Sequence, residues 1–308
     1  MRIVVTGGAG FIGSHVVDAY IARGHQVFVI DDLSTGDRRN VNPRAVFHRR
    51  DILDPALPGL LAEISPGVIN HHAAQMDVRR SVADPELDAR INILGLIHLL
   101  EGCKGLGVKK VIYASSGGAV YGEQETYPAP EEHPKRPWSP YGVSKLSGEY
   151  YLGYYQAAFG IPSVSLRYAN VYGPRQRSDG EAGVVAIFIG HLLAGRPPTI
   201  NGDGRQTRDY VYVGDVVAAN VLALESSYSG ALNIGTGRET DVIALLASLQ
   251  DKAGSRVSAI HGPAKPGEQR RSSLDASRAR AELGWSPRTS LEEGLEKTIA
   301  YYRQGRIG

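Results

Sequence analysis

The sequence predicts an α/β protein: a doubly wound parallel sheet followed by a smaller C-terminal α/β region. Three observations predict it. Short β-branched runs alternate with amphipathic stretches through the first half, a glycine turn follows the first run directly, and the rhythm changes after Asn170. Such alternation implies parallel strands joined by crossover helices that cover both faces of one sheet. Strands are expected at 2–5, 26–30, 45–48, 68–70, 110–114 and 163–167, and helices at 11–23, 54–63, 84–102 and 138–159.

Beyond Asn170, segment 173–183 is rich in Gly, Arg and polar residues, the composition of a binding loop. Helical periodicity returns at 181–194, 213–225, 240–251 and 290–303, with short strands at 211–213 and 231–234. We expect residues 1–170 to form a first, cofactor-binding domain. Residues 171–308 are expected to form a smaller substrate-binding region, with some segments returning to the first domain.

Composition narrows the function. Lys and Arg total 34 against 32 Asp and Glu, and the net charge of +2 makes no case for nucleic acid. No basic helix suggests a membrane surface, and no apolar stretch reaches spanning length. The first apolar run breaks at Gly7 and Gly8, too early for a secretion signal, so a cytoplasmic protein is expected. The one cysteine, Cys103, excludes an internal disulfide and a cysteine-based zinc site, and its apolar setting predicts packing. His71 and His72 lack a third ligand at metal spacing and are expected to be structural; no metal is predicted.

In the opening run Gly7, Gly10 and Gly13 are spaced GxxGxxG between a strand and a helix that begins at Phe11-Ile12. Turn glycines let a backbone approach a pyrophosphate, whose charge then rests on the helix N-terminus. The second strand ends in Asp31-Asp32, where a carboxylate can bind ribose hydroxyls and repel a 2′-phosphate. That favours NAD over NADP, with Ser34, Thr35 and Gly36 as further cofactor contacts. Asp51-Ile52 follows the third strand, where adenine would lie. His72-Ala73-Ala74-Gln75 follows the fourth, where small residues leave room for the cofactor.

Tyr141 and Lys145 stand at i and i+4 on one helix face. A free phenol titrates near ~10, too high for a general base at neutral pH. A neighbouring ammonium and a positive nicotinamide ring would both favour the phenolate, making an acid/base group suited to carbinol oxidation. Ala114-Ser115-Ser116 follows the fifth strand and completes the pattern.

Taken together, TGGAGFIG, Asp51-Ile52, His72-Ala73-Ala74, Asn92, ASSGGAVYG, YGVSK and Arg167-Tyr168-Ala169-Asn170-Val171-Tyr172-Gly173-Pro174 resemble the extended short-chain dehydrogenase/reductase family. The likeness continues through Gly202-Asp203-Gly204, Thr207-Arg208-Asp209-Tyr210 and Pro266-Gly267-Glu268. Segment Gln75-Met76-Asp77-Val78-Arg79-Arg80-Ser81 with Asp84-Pro85 is most similar to the NAD-dependent UDP-glucose 4-epimerases. The resemblance implies a Rossmann domain in which Asn92 and Tyr168 join the NAD site. It implies that Tyr141 moves the proton of the sugar O4 while C4 hydride passes to NAD and returns to the other face of a 4-keto sugar. Lys145 would lower the phenol's pKa and bind the nicotinamide ribose.

For the UDP-sugar the resemblance implies Asn170, Val184, Thr199, Asn201, Arg208, Tyr210 and Lys265. Two departures stand out. The family places a hydroxyl where this chain has Gly117, so Ser116 or a water must fill the role. It also places an arginine where this chain has Lys265, a task Arg270 or Arg271 would share. A small Ser272 leaves room for an N-acetyl group. The loop carries Gly118 and Ala119 where related dehydratases and decarboxylases carry acids, which favours epimerisation. Another nucleotide-sugar enzyme of this scaffold, a dehydratase or reductase, and a non-catalytic NAD or nucleotide sensor stay open. Helices 84–104 and 138–159 are expected to pair two chains into a homodimer.

Overall fold

The computed structural model describes residues 1–178, 183–264 and 269–305. The chain begins with β1 (Arg2–Thr6), α1 (Phe11–Ala22), β2 (Gln26–Asp31), β3 (Val46–Arg49), α2 (Leu57–Ile64) and β4 (Val68–His71). Next come α3 (Val78–Ala83), α4 (Pro85–Ala89), a π-helical turn (Arg90–Leu94) and α5 (Gly95–Cys103). They lead to β5 (Lys110–Ser116), α6 (Gly117–Val120), α7 (Pro140–Phe159) and β6 (Ser163–Tyr168). The later chain adds β7 (Asn170–Tyr172), α8 (Val184–Leu193), β8 (Thr199–Asn201), β9 (Thr207–Arg208), β10 (Tyr210–Tyr212) and α9 (Val213–Glu225). It closes with β11 (Gly230–Ile234), β12 (Thr240–Asp241), α10 (Val242–Ala253), β13 (Ile260–Gly262), α11 (Ser277–Leu283) and α12 (Leu291–Arg303).

Seven strands form one parallel sheet in the order β3-β2-β1-β4-β5-β6-β11. Ile3, Val4 and Val5 of β1 are all fully buried, as a central parallel strand covered on both faces requires. One face packs on α1, α9 and α11, the other on α2, α5 and α7. Strand order reverses between β1 and β4, so a crevice opens at their carboxyl ends, where such sheets bind ligands. A separate core of α8, α10 and α12 carries the short pairs β7–β10 and β8–β13.

Local signals explain the borders. Ser139 caps α7 by accepting the Gly142 N–H at 3.1 Å, Pro140 opens the first turn, and Gly160 ends the helix in the left-handed region at φ 65. The single helix expected over 84–102 is broken into α4, the π turn and α5. The π turn admits an extra residue and aims Asn92 inward, where it is buried. Strand β11 and helix α9 come from beyond Asn170, yet one extends the main sheet beside β6 and the other packs against α1. Cys103 is buried in α5, and burial pushes its thiol up to about 12. Among the described residues no helix is long and apolar enough to cross a membrane.

Candidate active site

The glycine turn closes on backbone. Gly7 adopts φ +67, and a Cβ on it would lie 2.6 Å from the Ala73 nitrogen at the end of β4. A Cβ on Gly13 would lie 2.3 Å from the Gly7 carbonyl oxygen, and one on Gly10 3.2 Å from the same atom. Gly10 caps α1 without a side-chain bond, so the Phe11 and Ile12 N–H groups at the helix start have no intrahelical acceptor. This backbone cradle sits at the β1/β4 crevice. It suits a pyrophosphate.

Asp31 is buried beside the cradle, accepting the Ala9 N–H at 2.9 Å and the Leu33 N–H at 2.8 Å. Burial raises its pKa and the two N–H bonds oppose the rise. Gly36 packs on it, since a Cβ there would lie 2.8 Å from Asp31 Oδ1. Asp32 is exposed and accepts both the N–H and hydroxyl of Ser34, and Thr35 next to it is also exposed. Asp51 is exposed and turns its carboxylate onto the Leu53 N–H, while Ile52 is buried against Gly95.

Several expected cofactor residues support the crevice through packing. Burial pulls His71 and His72 down to about 3, so both rings are neutral, and His72 stacks on Tyr168. The Tyr168 hydroxyl accepts from Asn220 within a buried chain that includes Asn70 and Tyr20. Its side chain is thus committed to the core. Ala73 and Ala74 leave the space beside Gly7 to backbone. Gln75 and Asn92 grip each other, the Gln75 N–H donating to Asn92 Oδ1 at 2.9 Å and Asn92 Nδ2 to the Gln75 carbonyl at 2.9 Å.

Helix α7 delivers Tyr141 and Lys145 to the carboxyl end of β5. The Tyr141 N–H donates to Ser81 Oγ at 3.2 Å. Lys145 Nζ donates to the Ala114 carbonyl at 2.9 Å and stands 5.7 Å from the Tyr141 ring centre. Burial pulls the ammonium down to about 8, with the Asp88 charge opposing. It pushes the Tyr141 phenol up to about 12, opposed by a hydrogen bond with Ser116 and reinforced by Asp88. Burial and Asp88 thus act against the acidification that the sequence leads one to expect, and the Ser116 bond acts with it.

Strand alternation sorts the two serines. Ser116 faces the Tyr141 phenol, whereas Ser115 donates to Glu149 Oε1 at 2.6 Å. Glu149 in turn is held by the buried Arg167 at 2.6 Å. A Cβ on Gly117 would fall 2.4 Å from Leu274 Cδ1, so any side chain there would have to displace that fully buried leucine.

Asn170 is exposed at the start of β7, and together with Val184 and Tyr210 it lines one small cavity. Thr199 and Asn201 bound β8. Arg208 ends β9 and donates to the Thr207 carbonyl at 2.8 Å. Asp209 takes N–H groups of Thr236, Gly237 and Leu274, and Asp215 those of Arg288 and Thr289. Arg270 pairs with Asp203 at 2.8 Å and Arg271 with Glu239 at 2.6 Å. Ser272 is buried. Lys265 lies outside the described residues.

Residues 3–235 match the NAD dependent epimerase/dehydratase family. The chain belongs to that family. A putative UDP-glucose 4-epimerase of Methanocaldococcus jannaschii is 46% identical over 301 residues, 98% of each chain. Among solved structures, the UDP-glucose 4-epimerase of Thermotoga maritima, determined with UDP-glucose, is 47% identical over 99% of both chains with a TM-score of 0.98. That of Thermus thermophilus, determined with NAD, is 45% identical over 98% of this chain and 99% of its own, with a TM-score of 0.94. Within this epimerase/dehydratase fold, sequence reasoning missed Asp88, Glu149 and Leu274. Neither acid stands in a motif or spacing that singles it out, and the contact of Leu274 with Gly117 leaves no local trace.

Proposed function

We propose that the protein interconverts the C4 epimers of a UDP-hexose, with NAD held as a recycled cofactor. The observation that carries the reading is the Tyr141 phenol, hydrogen-bonded to Ser116 and one turn from Lys145, with a glycine cradle at the same end of the sheet whose Gly7 and Gly13 have no room for a Cβ. NAD bound in that cradle supplies a hydride acceptor and donor for C4. Tyr141 takes the proton of the sugar 4-hydroxyl and returns it. The positive charge of Lys145 favours the phenolate, and the Ser116 hydroxyl shares the proton's hydrogen bonding. Because Gly117 is closed by Leu274, Ser116 performs the work of the family's serine or threonine. Gly118 and Ala119 bring no acid to the loop, so the site lacks a second acid/base group for dehydration or decarboxylation.

Asn170, the first turn of α8 at Val184, Arg208 and Lys265 hold the diphosphate with Tyr210 beside Arg208, and Thr199 and Asn201 flank the uridine. Support comes from the related epimerases solved with UDP-glucose and with NAD. We also propose a cytoplasmic homodimer joined through α7 and the α4–α5 segment. Val143, Tyr150 and Tyr154 recur on one exposed face of α7, with Leu94 and Val82 exposed on the neighbouring segments.

The test incubates purified protein with UDP-galactose and UDP-GalNAc separately, without added reductant. Chromatography should show the C4 epimer of at least the first with no build-up of NADH. Steady NADH release, or loss of water from the sugar, would instead mark a reductase or a dehydratase. Tyr141→Phe should lower turnover by about 10²–10⁴; full turnover in that variant would remove the reading.

A further inference from the structure

We propose that Asp88 is a positioning residue for the Tyr141–Lys145 pair, a buried carboxylate that ties helix α7 to the loop after β4 and sets the charge beneath the acid/base groups. The inference rests on the reading of Tyr141 and Lys145 as that pair. Asp88 sits on α4 and is fully buried. Its Oδ2 accepts the hydroxyl of Ser144, the residue before Lys145, at 2.6 Å. Its Oδ1 accepts Gln75 Nε2 at 2.9 Å and Asn92 Nδ2 at 3.0 Å. Asn92 follows Asp88 by four residues, so it shares that stretch of helix surface and reaches Gln75 as well.

Burying a carboxylate costs several kcal/mol before its partners are counted. Three donors offset that cost, but a neutral amide could anchor the same three groups. What the acid adds is charge. The other titratable groups around the pair do not compete. His71 and His72 at the end of β4 are held neutral by burial, and burial likewise keeps Tyr113 on β5 protonated. Glu149, one turn beyond Lys145, is neutralised by Arg167. Asp88 acts on both members, holding the ammonium on Lys145 and the proton on Tyr141.

Asp88→Asn tests this cleanly. The amide oxygen can still accept from Gln75 and Asn92, and the amide nitrogen can donate to a rotated Ser144 hydroxyl. Only the charge is removed. Both limbs of the pH–kcat profile should then move to lower pH by about one unit. Limbs that stay in place while the whole profile drops would overturn the proposal, leaving Asp88 as scaffolding. Ser144→Ala keeps the charge and breaks one bond, so its limbs should not move; a shift as large as that of Asp88→Asn would also overturn it. Carbon-13 NMR of ring-labelled tyrosine, with the Tyr141 resonance assigned through Tyr141→Phe, reads the same effect without any sugar. Its midpoint should fall in Asp88→Asn, and an unchanged midpoint refutes the proposal whatever the substrate. A fallen midpoint in a protein that epimerises no UDP-sugar would sink the proposed function and keep the role of Asp88.

Discussion

The glycine turns after β1 and β5 lie at the same edge of the sheet and look alike in sequence. Their glycines are needed for opposite reasons. At Gly7 and Gly13 an added Cβ would strike backbone, the Ala73 nitrogen in one case and the Gly7 carbonyl in the other. At Gly117 it would strike a side chain, Leu274, which reaches the loop from far along the chain. Backbone at the end of a central strand cannot yield, whereas a leucine can be shortened. The first turn is therefore bare because backbone closes on it, and the second is bare because another side chain packs on it. A crowded glycine by itself does not mark a binding site.

The comparison can be broken at its strong end with Gly13→Ala. We expect a loss of more than about 3 kcal/mol, since overpacking against fixed backbone has no relief. Thermal melts should fall steeply, and protein purified from the variant should carry no NAD. Gly117→Ser should cost less, about 1–3 kcal/mol, because the strain falls on a side chain. Leu274→Ala sharpens the point. A double-mutant cycle with Gly117→Ser should show the pair less damaged than the sum of the singles, by about 1–3 kcal/mol. Additive effects would mean that the two residues do not compete for space. The smallest change belongs to Gly118→Ala, whose Cβ would find nothing nearer than Asn170 Oδ1 at 3.8 Å. Its stability should stay within about 0.5 kcal/mol of the parent, and its melting curve is the check.

The same contrast explains what could be read from the chain alone. The cradle was legible because its causes are local: strand, turn and helix start lie within a few residues, and the spacing of Gly7, Gly10 and Gly13 reports a backbone shape. Asp31 and the Tyr141–Lys145 pair were legible for the same reason. Ser116 was expected near the sugar hydroxyl, and the pleat of β5 is what turns it to the phenol while Ser115 turns to Glu149. The Asp88 cluster was hidden because its donors, Gln75, Asn92 and Ser144, come from three separate segments. The place of Leu274 against Gly117 is a tertiary fact with no periodic signature. Segment 231–234 was foreseen as a strand, yet nothing local says that it pairs with β6.

That pairing has a consequence for how the molecule could be cut. A chain severed after Asn170 would leave β6 without its outer neighbour, a bare and apolar margin of the kind that recruits other chains into aggregates. The fragment would also lose α9, and with it the cover over α1. Expression of the first 170 residues alone should yield inclusion bodies, and co-expression with the remainder should return soluble material.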